Sequence, residues 1–337
     1  MIIAVDRNTI QAVKDGHEYI YIYKNESLKE LLKTGLHCVR YDCFEYADIN
    51  LTDFEIDCFK KAKITDDYDK MPEPKDYKIA IIIPNCNYAE WLEKCLNSIL
   101  NQTYKNYEII FVDDMSTDNS LEIAKKILKP PHKVIELKQK RLNGGARNEA
   151  YLHLSNDVDY VWYVDSDDWL KDETVLEKIN QRLQLQPDVL FVGLGLYRND
   201  EETECFIPTY KNKYEAMQGW SGSCGKVIKK ELAIRQECLY DEGTLKEDRN
   251  QHYKICINMR TFANLRQTVY IWNRQNVNSV TTKRNAADWG TSTIRHYADT
   301  LKLYLTYKGK DPMTDSILRG RADSMKFEVM RGGDRQL

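Results

Sequence analysis

The densest chemistry in the chain is Asp165-Ser-Asp-Asp168, which follows the run Tyr160-Val-Trp-Tyr-Val164. That run is β-branched or aromatic throughout and predicts a buried strand, so the acids sit where the strand ends. Open α/β sheets bind ligands in the crevice outside the carboxyl ends of their strands, which places such acids for chemistry. Crowding Asp165, Asp167 and Asp168 is costly through like-charge repulsion and desolvation unless a cation offsets it. Magnesium or manganese takes oxygen ligands and commonly bridges to a substrate's phosphates. A plainer use competes: Asp168 or Asp172 caps a helix starting near Glu173, with the other acids solvated.

Several elements must position these acids. Lys78-Ile-Ala-Ile-Ile-Ile-Pro84 is almost continuously apolar, as a strand of a parallel sheet requires. A helix over Tyr88–Asn101 carries Trp91, Leu92, Cys95, Leu96, Ile99 and Leu100 at helical spacing and should pack on that sheet. Glu108-Ile-Ile-Phe-Val-Asp-Asp114 is a second strand ending in acids. A helix over Leu121–Leu128, a strand over Val134–Leu137 and a helix opened by Asn143-Gly-Gly-Ala-Arg-Asn148 follow before the Tyr160 strand. This alternation predicts an α/β fold with a doubly wound, mostly parallel sheet flanked by helices. By that topology the acid and glycine clusters share one edge of the sheet.

At 337 residues the chain can bury a large core, and its net charge of −3 offers no basic footprint, so nucleic acid is not an expected partner. No apolar run is long enough to span a bilayer and the N-terminus does not read as a signal peptide, so no transmembrane segment is expected. Nine cysteines without a Cys-x-x-Cys pair suit reduced thiols and a cytoplasmic location, with Cys86, Cys95 and Cys256 expected in the core. Residues 1–64 read as a small α/β module, with strands at Ile2–Val5, Tyr19–Tyr23 and His37–Phe44 and helices over Glu26–Lys33 and Thr52–Lys63. Residues 65–77 have linker composition, 78–284 form the main domain, and 285–337 form C-terminal helices and a tail. Oligomerisation through either terminal region stays open.

Taken in order, Ile-Ile-Ile-Pro-Asn-Cys-Asn87, Ser98-Ile-Leu-Asn-Gln-Thr-Tyr104, Val112-Asp-Asp-Met-Ser-Thr-Asp-Asn-Ser120, Ala146-Arg-Asn148 and Asp165-Ser-Asp-Asp168 resemble glycosyltransferase family 2. The resemblance covers residues 78–200, and its ordered set of motifs is far more specific than a lone Asp-x-Asp. It implies the GT-A fold and a nucleotide-sugar donor, with Pro84, Asn87 and Asp114 lining the nucleoside pocket and Asp114 taking the base's imide N–H. Asp113 and Asn143 join the implied donor set. Arg147 is implied to reach the donor's diphosphate or base, and Asp165 and Asp167 to hold the donor and its manganese or magnesium. Asp118 reads more readily as the cap of the helix that starts at Asn119. The chain departs from the family pattern in having Asn143 and Arg147 only four residues apart, which shortens the loop over the donor.

Residues 201–284 correspond to the family's more variable acceptor half. Trp220-Ser-Gly-Ser-Cys-Gly-Lys-Val-Ile-Lys-Lys-Glu-Leu232 resembles the segment beneath the acceptor, and Glu247-Asp248 matches the family's Glu-Asp pair. The resemblance makes Asp248 the general base, with Glu247, Asp168 and Trp220 as possible acceptor or supporting residues. As plain first-turn acids, Glu247 and Asp248 would instead favour the dipole of their helix. Tyr270 and Trp272 lie on the next strand, where aromatics are more often core than sugar platforms. The reading is a metal-dependent, inverting, non-processive transferase moving a sugar, expected from a uridine diphosphate donor, to a hydroxyl of a glycan or other acceptor. A nucleotidyltransferase acting on a sugar phosphate and a non-catalytic nucleotide-sugar-binding protein are the rivals.

Overall fold

A computed structural model describes residues 75–277, 279 and 286–333, together with five N-terminal strands. These are β1 (Ile10–Asp15), β2 (Glu18–Tyr23), β3 (Cys38–Val39), β4 (Ala47–Leu51) and β5 (Lys63–Thr65). β1, β2 and β5 make a small sheet of their own. The strand expected at Ile2–Val5 and the helices expected over Glu26–Lys33 and from Thr52 lie outside the described residues.

The main unit runs β6 (Ile79–Asn85), α1 (Ala89–Leu100), β7 (Tyr107–Asp113), α2 (Ser120–Ile127), β8 (Lys133–Glu136), α3 (Leu142–Tyr151) and β9 (Tyr160–Tyr163). It continues with β10 (Trp169–Leu170), α4 (Val175–Leu183), β11 (Val189–Arg198), β12 (Glu201–Phe206), α5 (Lys213–Gln218), β13 (Lys226–Lys229), α6 (Lys230–Ala233), α7 (Glu247–Asn258) and β14 (Thr261–Asn273). α8 (Ala286–Tyr307) and α9 (Pro312–Gly333) close the described chain as an antiparallel helical pair. The sheet order is β3-β4-β14-β11-β13-β9-β6-β7-β8, with β10 on β14 and β12 on β11. Pairing is parallel across β9-β6-β7-β8 and between β11 and β14, while β13 is antiparallel to both its neighbours. The expected α/β class holds, and the sheet is parallel from β9 to β8 and mixed beyond it. β4 pairs with β14, so part of the N-terminal stretch extends the main sheet.

Both faces of the sheet are covered, which is why β6 and β7 are buried along their whole length. Ile79, Ile81, Ile83, Ile109, Phe111 and Trp162 face one core with Leu92, Cys95, Leu96 and Ile99 of α1. Their alternate neighbours Ala80, Ile82, Ile110, Val112, Val161 and Tyr163 face the other, with Ala146 and Ala150 of α3 and Ile255 and Cys256 of α7. Burying one such isoleucine stabilises the fold by roughly 1.5–3 kcal/mol. Register then fixes the working edge: Ile82 pairs with Tyr163 and Asn85 with Asp113, so β6, β7 and β9 end together. Among the described residues no helix is long and apolar enough to cross a membrane.

Candidate active site

Three loops, at the ends of β6 and β7 and before α3, are joined by hydrogen bonds. Each holds one non-glycine residue in the left-handed region: Asn87 (φ 61°), Met115 (φ 61°) and Leu142 (φ 60°). Such geometry persists only where surroundings over-determine it, and here carboxylates and amides do so. Asp114 Oδ1 accepts from the Arg141 N–H at 2.7 Å and Oδ2 from the Leu142 N–H at 2.8 Å, so this acid ties β7 to the start of α3. A carboxylate offers about four lone-pair sites, so this does not exhaust Asp114 as an acceptor. Exposed Asn87 accepts from the Thr117 N–H at 2.7 Å, and Asn143 stands at the second position of α3.

Two other residues expected near the donor, Pro84 and Asp113, are buried. Pro84 is buried within β6, opposite Val112. The Asp113 carboxylate, 1% exposed, is consumed by its own turn, accepting from Asn85 Nδ2 at 3.0 Å, Ser116 Oγ at 2.6 Å and the Ser116 N–H at 2.9 Å. Asp113 thus supports its own turn, because a buried carboxylate must find such donors. Asp118 accepts from the N–H groups of Ala89 and Ser120, both at 3.0 Å, and so serves the starts of α1 and α2. Cys95 and Cys256 are core residues, but Cys86 is half-exposed with Lys140 Nζ 2.6 Å from its sulfur.

Arg147 is held by partners within the protein. Its side chain is buried and donates to Asp165 Oδ1 at 2.7 Å, Glu247 Oε1 at 2.8 Å and Asp248 Oδ1 at 3.2 Å. Tyr163 and Tyr240 flank the guanidinium, 5.9 and 5.2 Å from its central carbon. It braces three carboxylates at once. Gly144 makes this approach feasible: a Cβ there would stand 2.7 Å from the Asp241 carbonyl oxygen and 3.2 Å from Glu247 Cγ. Asn148 secures the same contact, since its side chain donates to the Tyr240 carbonyl and accepts the Tyr240 N–H, each at 3.0 Å.

The acids after β9 divide by partner. Asp168 is buried and structural, accepting from the Tyr270 hydroxyl at 2.5 Å and the Asn273 N–H at 2.8 Å. Tyr270 also accepts from the Asp165 N–H at 3.1 Å, so one core tyrosine orients two of the acids. Neither Asp168 nor Asp172 caps α4: Asp172 accepts from the Thr174 N–H at 2.9 Å in the turn before it, and the Leu176 N–H of its first turn donates to Gln102 Oε1 at 2.9 Å. Asp167 Oδ2 accepts from Asn276 Nδ2 at 2.8 Å. Burial, and then the charge of Asp165, push the Asp167 carboxyl up to about 6. Among the described residues no set of three or more His, Cys, Asp or Glu side chains forms a cation cage. Asp165 and Asp167 nevertheless fit a hard cation that completes its shell from a phosphorylated ligand, because they offer oxygen donors in surplus of positive charge.

On the far side of Arg147, Asp248 is partly exposed and accepts from the Ser223 hydroxyl, which itself accepts from the Tyr240 hydroxyl at 2.7 Å. Glu247 is buried, and burial followed by the Asp248 charge pushes its carboxyl up to about 7 despite Arg147. Trp220 stacks on Phe206 at 5.9 Å and meets Trp272 edge-on at 5.5 Å. Beneath its loop the fully buried Lys226 donates to the Ser221 and Gly222 carbonyls at 3.0 and 2.7 Å. Lys226, Ser223, Tyr240 and Asn276 were not singled out from the sequence. A lysine amid Cys-Gly-Lys-Val-Ile was the one visible signal, as a charge inside an apolar run.

This fold and site define the class. The model of "Glycosyl transferase family 2" matches residues 80–270, more than half of the chain, and the chain belongs to that family. It is 30% identical over 219 residues to glycosyltransferase GlyA of Streptococcus pneumoniae, covering 58% of this chain and 30% of that protein. It is 37% identical over 117 residues to the poly(ribitol-phosphate) beta-glucosyltransferase of Bacillus spizizenii, covering 33% of this chain and 18% of that protein. The chain thus spans well under half the length of these relatives. In fold it is similar to Staphylococcus aureus TarS 1–349 in complex with UDP-GlcNAc, with a TM-score of 0.58 and 18% identity over 76% of this chain and 72% of that one. The mannosyltransferase PcManGT of Pyrobaculum calidifontis, in complex with GDP-Man and Mn2+, is similar with a TM-score of 0.51 and 16% identity over 79% and 77%. The GT-A architecture expected from the sequence motifs is the observed fold.

Proposed function

We propose that this chain transfers a sugar from a nucleotide-sugar donor, a uridine diphosphate sugar in the first instance, to an acceptor hydroxyl with inversion. The observation that carries the reading is the pairing of a partly exposed carboxylate, Asp248, with a second acidic pair, Asp165 and Asp167, across one buried arginine. Asp248 takes the acceptor hydroxyl's proton while that oxygen bonds to the anomeric carbon. The bond from that carbon to the diphosphate breaks, and its electron pair leaves with the nucleoside diphosphate. Attack and departure on opposite faces invert the centre. Asp165 and Asp167 would hold a divalent cation, which when bound supplies positive charge to the leaving diphosphate. The Asp114 loop and Asn87 would orient the nucleoside at the crevice formed by β6 and β7. Complexes of the structural neighbours with UDP-GlcNAc and with GDP-Man and Mn2+ support a nucleotide-sugar donor and a metal.

The test is calorimetric titration of a panel of nucleotide sugars with manganese and with chelator. Metal-dependent binding of one uridine diphosphate sugar is expected. Binding of a nucleoside triphosphate with no binding of any sugar nucleotide would instead favour nucleotidyl transfer.

A further inference from the structure

The first turn of α7 holds Glu247 and Asp248, whose charges suit the positive end of a helix dipole, and then Arg249, whose charge opposes it. Arg249 is half-buried, and no residue among those described partners its guanidinium by hydrogen bond, ion pair or ring contact. The charges around it are mostly of its own sign. Glu328 is engaged by Lys246 at 3.5 Å and by Arg321 at 3.8 Å. Burial first, and then Arg249, hold the Arg321 guanidinium below its ordinary range. Burial, followed by Arg321, Lys246 and more weakly Arg249, drives His296 down to about 4, so it stays neutral. Lys246 and Arg321 thus share the one carboxylate of Glu328, and Arg249 draws on none of it.

Arg249 also lines an open cavity of about 480 Å³ with Phe206, Gly219, Trp220, Ser221 and Gly222. Gly222 keeps the Trp220 indole seated beside that cavity, because a Cβ at 222 would lie 2.6 Å from the indole nitrogen. That nitrogen is buried without a hydrogen-bond partner. Ser223, next along the loop, donates to Asp248, so the cavity and the carboxylate adjoin. A cation without a partner among the described residues and an aromatic surface thus line one recess, with the Asp248 carboxylate reached through the next residue of its loop, Ser223.

We propose that this recess is the acceptor subsite and that it takes an anionic acceptor. A phosphate or carboxylate lies against Arg249, the carbon skeleton along Trp220, and the reacting hydroxyl at Asp248. The proposal rests on the transferase reading and adds the class of acceptor to it. A guanidinium prefers planar, bidentate oxyanions, which is why an arginine suits the position.

The experiment compares glucose, glucuronic acid and glucose 6-phosphate by ligand-observed NMR on the full chain saturated with UDP and manganese. One or both anionic probes should bind about tenfold or more tighter than glucose, as a charge-assisted contact implies. Which of them binds separates a carboxylate from a phosphate. Arg249→Gln should bring the anion down to the affinity of glucose, and Arg249→Lys should keep part of the preference. Added salt should erode the preference in the wild type, so the result can be read even if a variant fails to fold. Equal binding of all three probes, or a preference untouched by both salt and Arg249→Gln, overturns the proposal. If UDP itself does not bind, the transferase reading falls and this proposal falls with it.

Discussion

The Arg147 guanidinium donates to Asp248 Oδ1 at 3.2 Å, although the two residues stand 101 positions apart in the chain. The same group holds Asp165 at 2.7 Å, so the proposed base and one of the proposed donor acids share one buried cation. The separation of the two halves of the site is set by the span of a single guanidinium. Any change in that residue should be felt on both sides of the reaction.

Replacing Arg147 by Met should be the most damaging single change in the site. It leaves Asp165, Glu247 and Asp248 without their cation, and breaking a buried ion pair costs about 3–5 kcal/mol. Urea denaturation should report the loss. Arg147→Lys should restore little of it, because one ammonium lacks the planar fork that reaches several carboxylates. An unchanged midpoint would mean the acids are neutral in the folded state.

Asp248→Asn should keep donor binding and lose transfer by ~10²–10⁴-fold, the usual contribution of a general base. The amide oxygen can still accept from Arg147 and Ser223, so the fold should survive. Donor affinity by calorimetry and turnover by nucleotide release separate the two effects. Normal turnover would place the base elsewhere.

Asp167→Asn should remove metal-dependent donor binding while leaving the protein folded. The substitution keeps an oxygen for Asn276 but deletes the hard anionic ligand. Thermal shift with manganese and nucleotide together should vanish in the variant. A shift equal to the wild type's would remove Asp167 from the cation site.

Stability should fall as pH rises from about 4.5 to about 7, in part through Glu247. Its carboxyl titrates near 7 in the fold, because of burial and then Asp248, and near the ordinary glutamate value when unfolded. Within that window the folded state binds more protons, so unfolding becomes easier with rising pH. Glu247→Gln should flatten the slope, with a gain over the wild type of roughly 1–3 kcal/mol at pH 8 that disappears below pH 4.5. Equal slopes for both proteins would show that Glu247 ionises normally.

Lys226→Met should separate stability from acceptor binding. The lysine is fully buried, and burial lowers its ammonium to about 8, so an apolar chain of similar length should be tolerated or stabilising. The carbonyls of Ser221 and Gly222 would lose their donor, and the Trp220 loop with them. Acceptor KM should rise by about tenfold, the worth of one charge-assisted bond, with the melting temperature unchanged or higher. An unchanged KM would show that other contacts hold the loop.

The sequence by itself determined the elements whose signal is local. Alternating apolar strands and amphipathic helices announced the doubly wound sheet, because backbone periodicity of 2 or 3.6 is written in adjacent residues. Acids at the ends of β7 and β9 were legible for the same reason, since a strand end and the residues after it travel together. What each polar side chain faces was not legible. Asp113 and Asp114 are neighbours in sequence, yet the first closes its own turn while the second reaches 27 residues on to the Arg141 N–H. Arg147 looked free to meet a phosphate because the carboxylates that bury it arrive from β9 and α7. Only the register of the sheet and the packing of α3 on α7 bring those partners within 3.2 Å. Burial makes the pairing obligatory, since a charge removed from water must find its counter-charge in space.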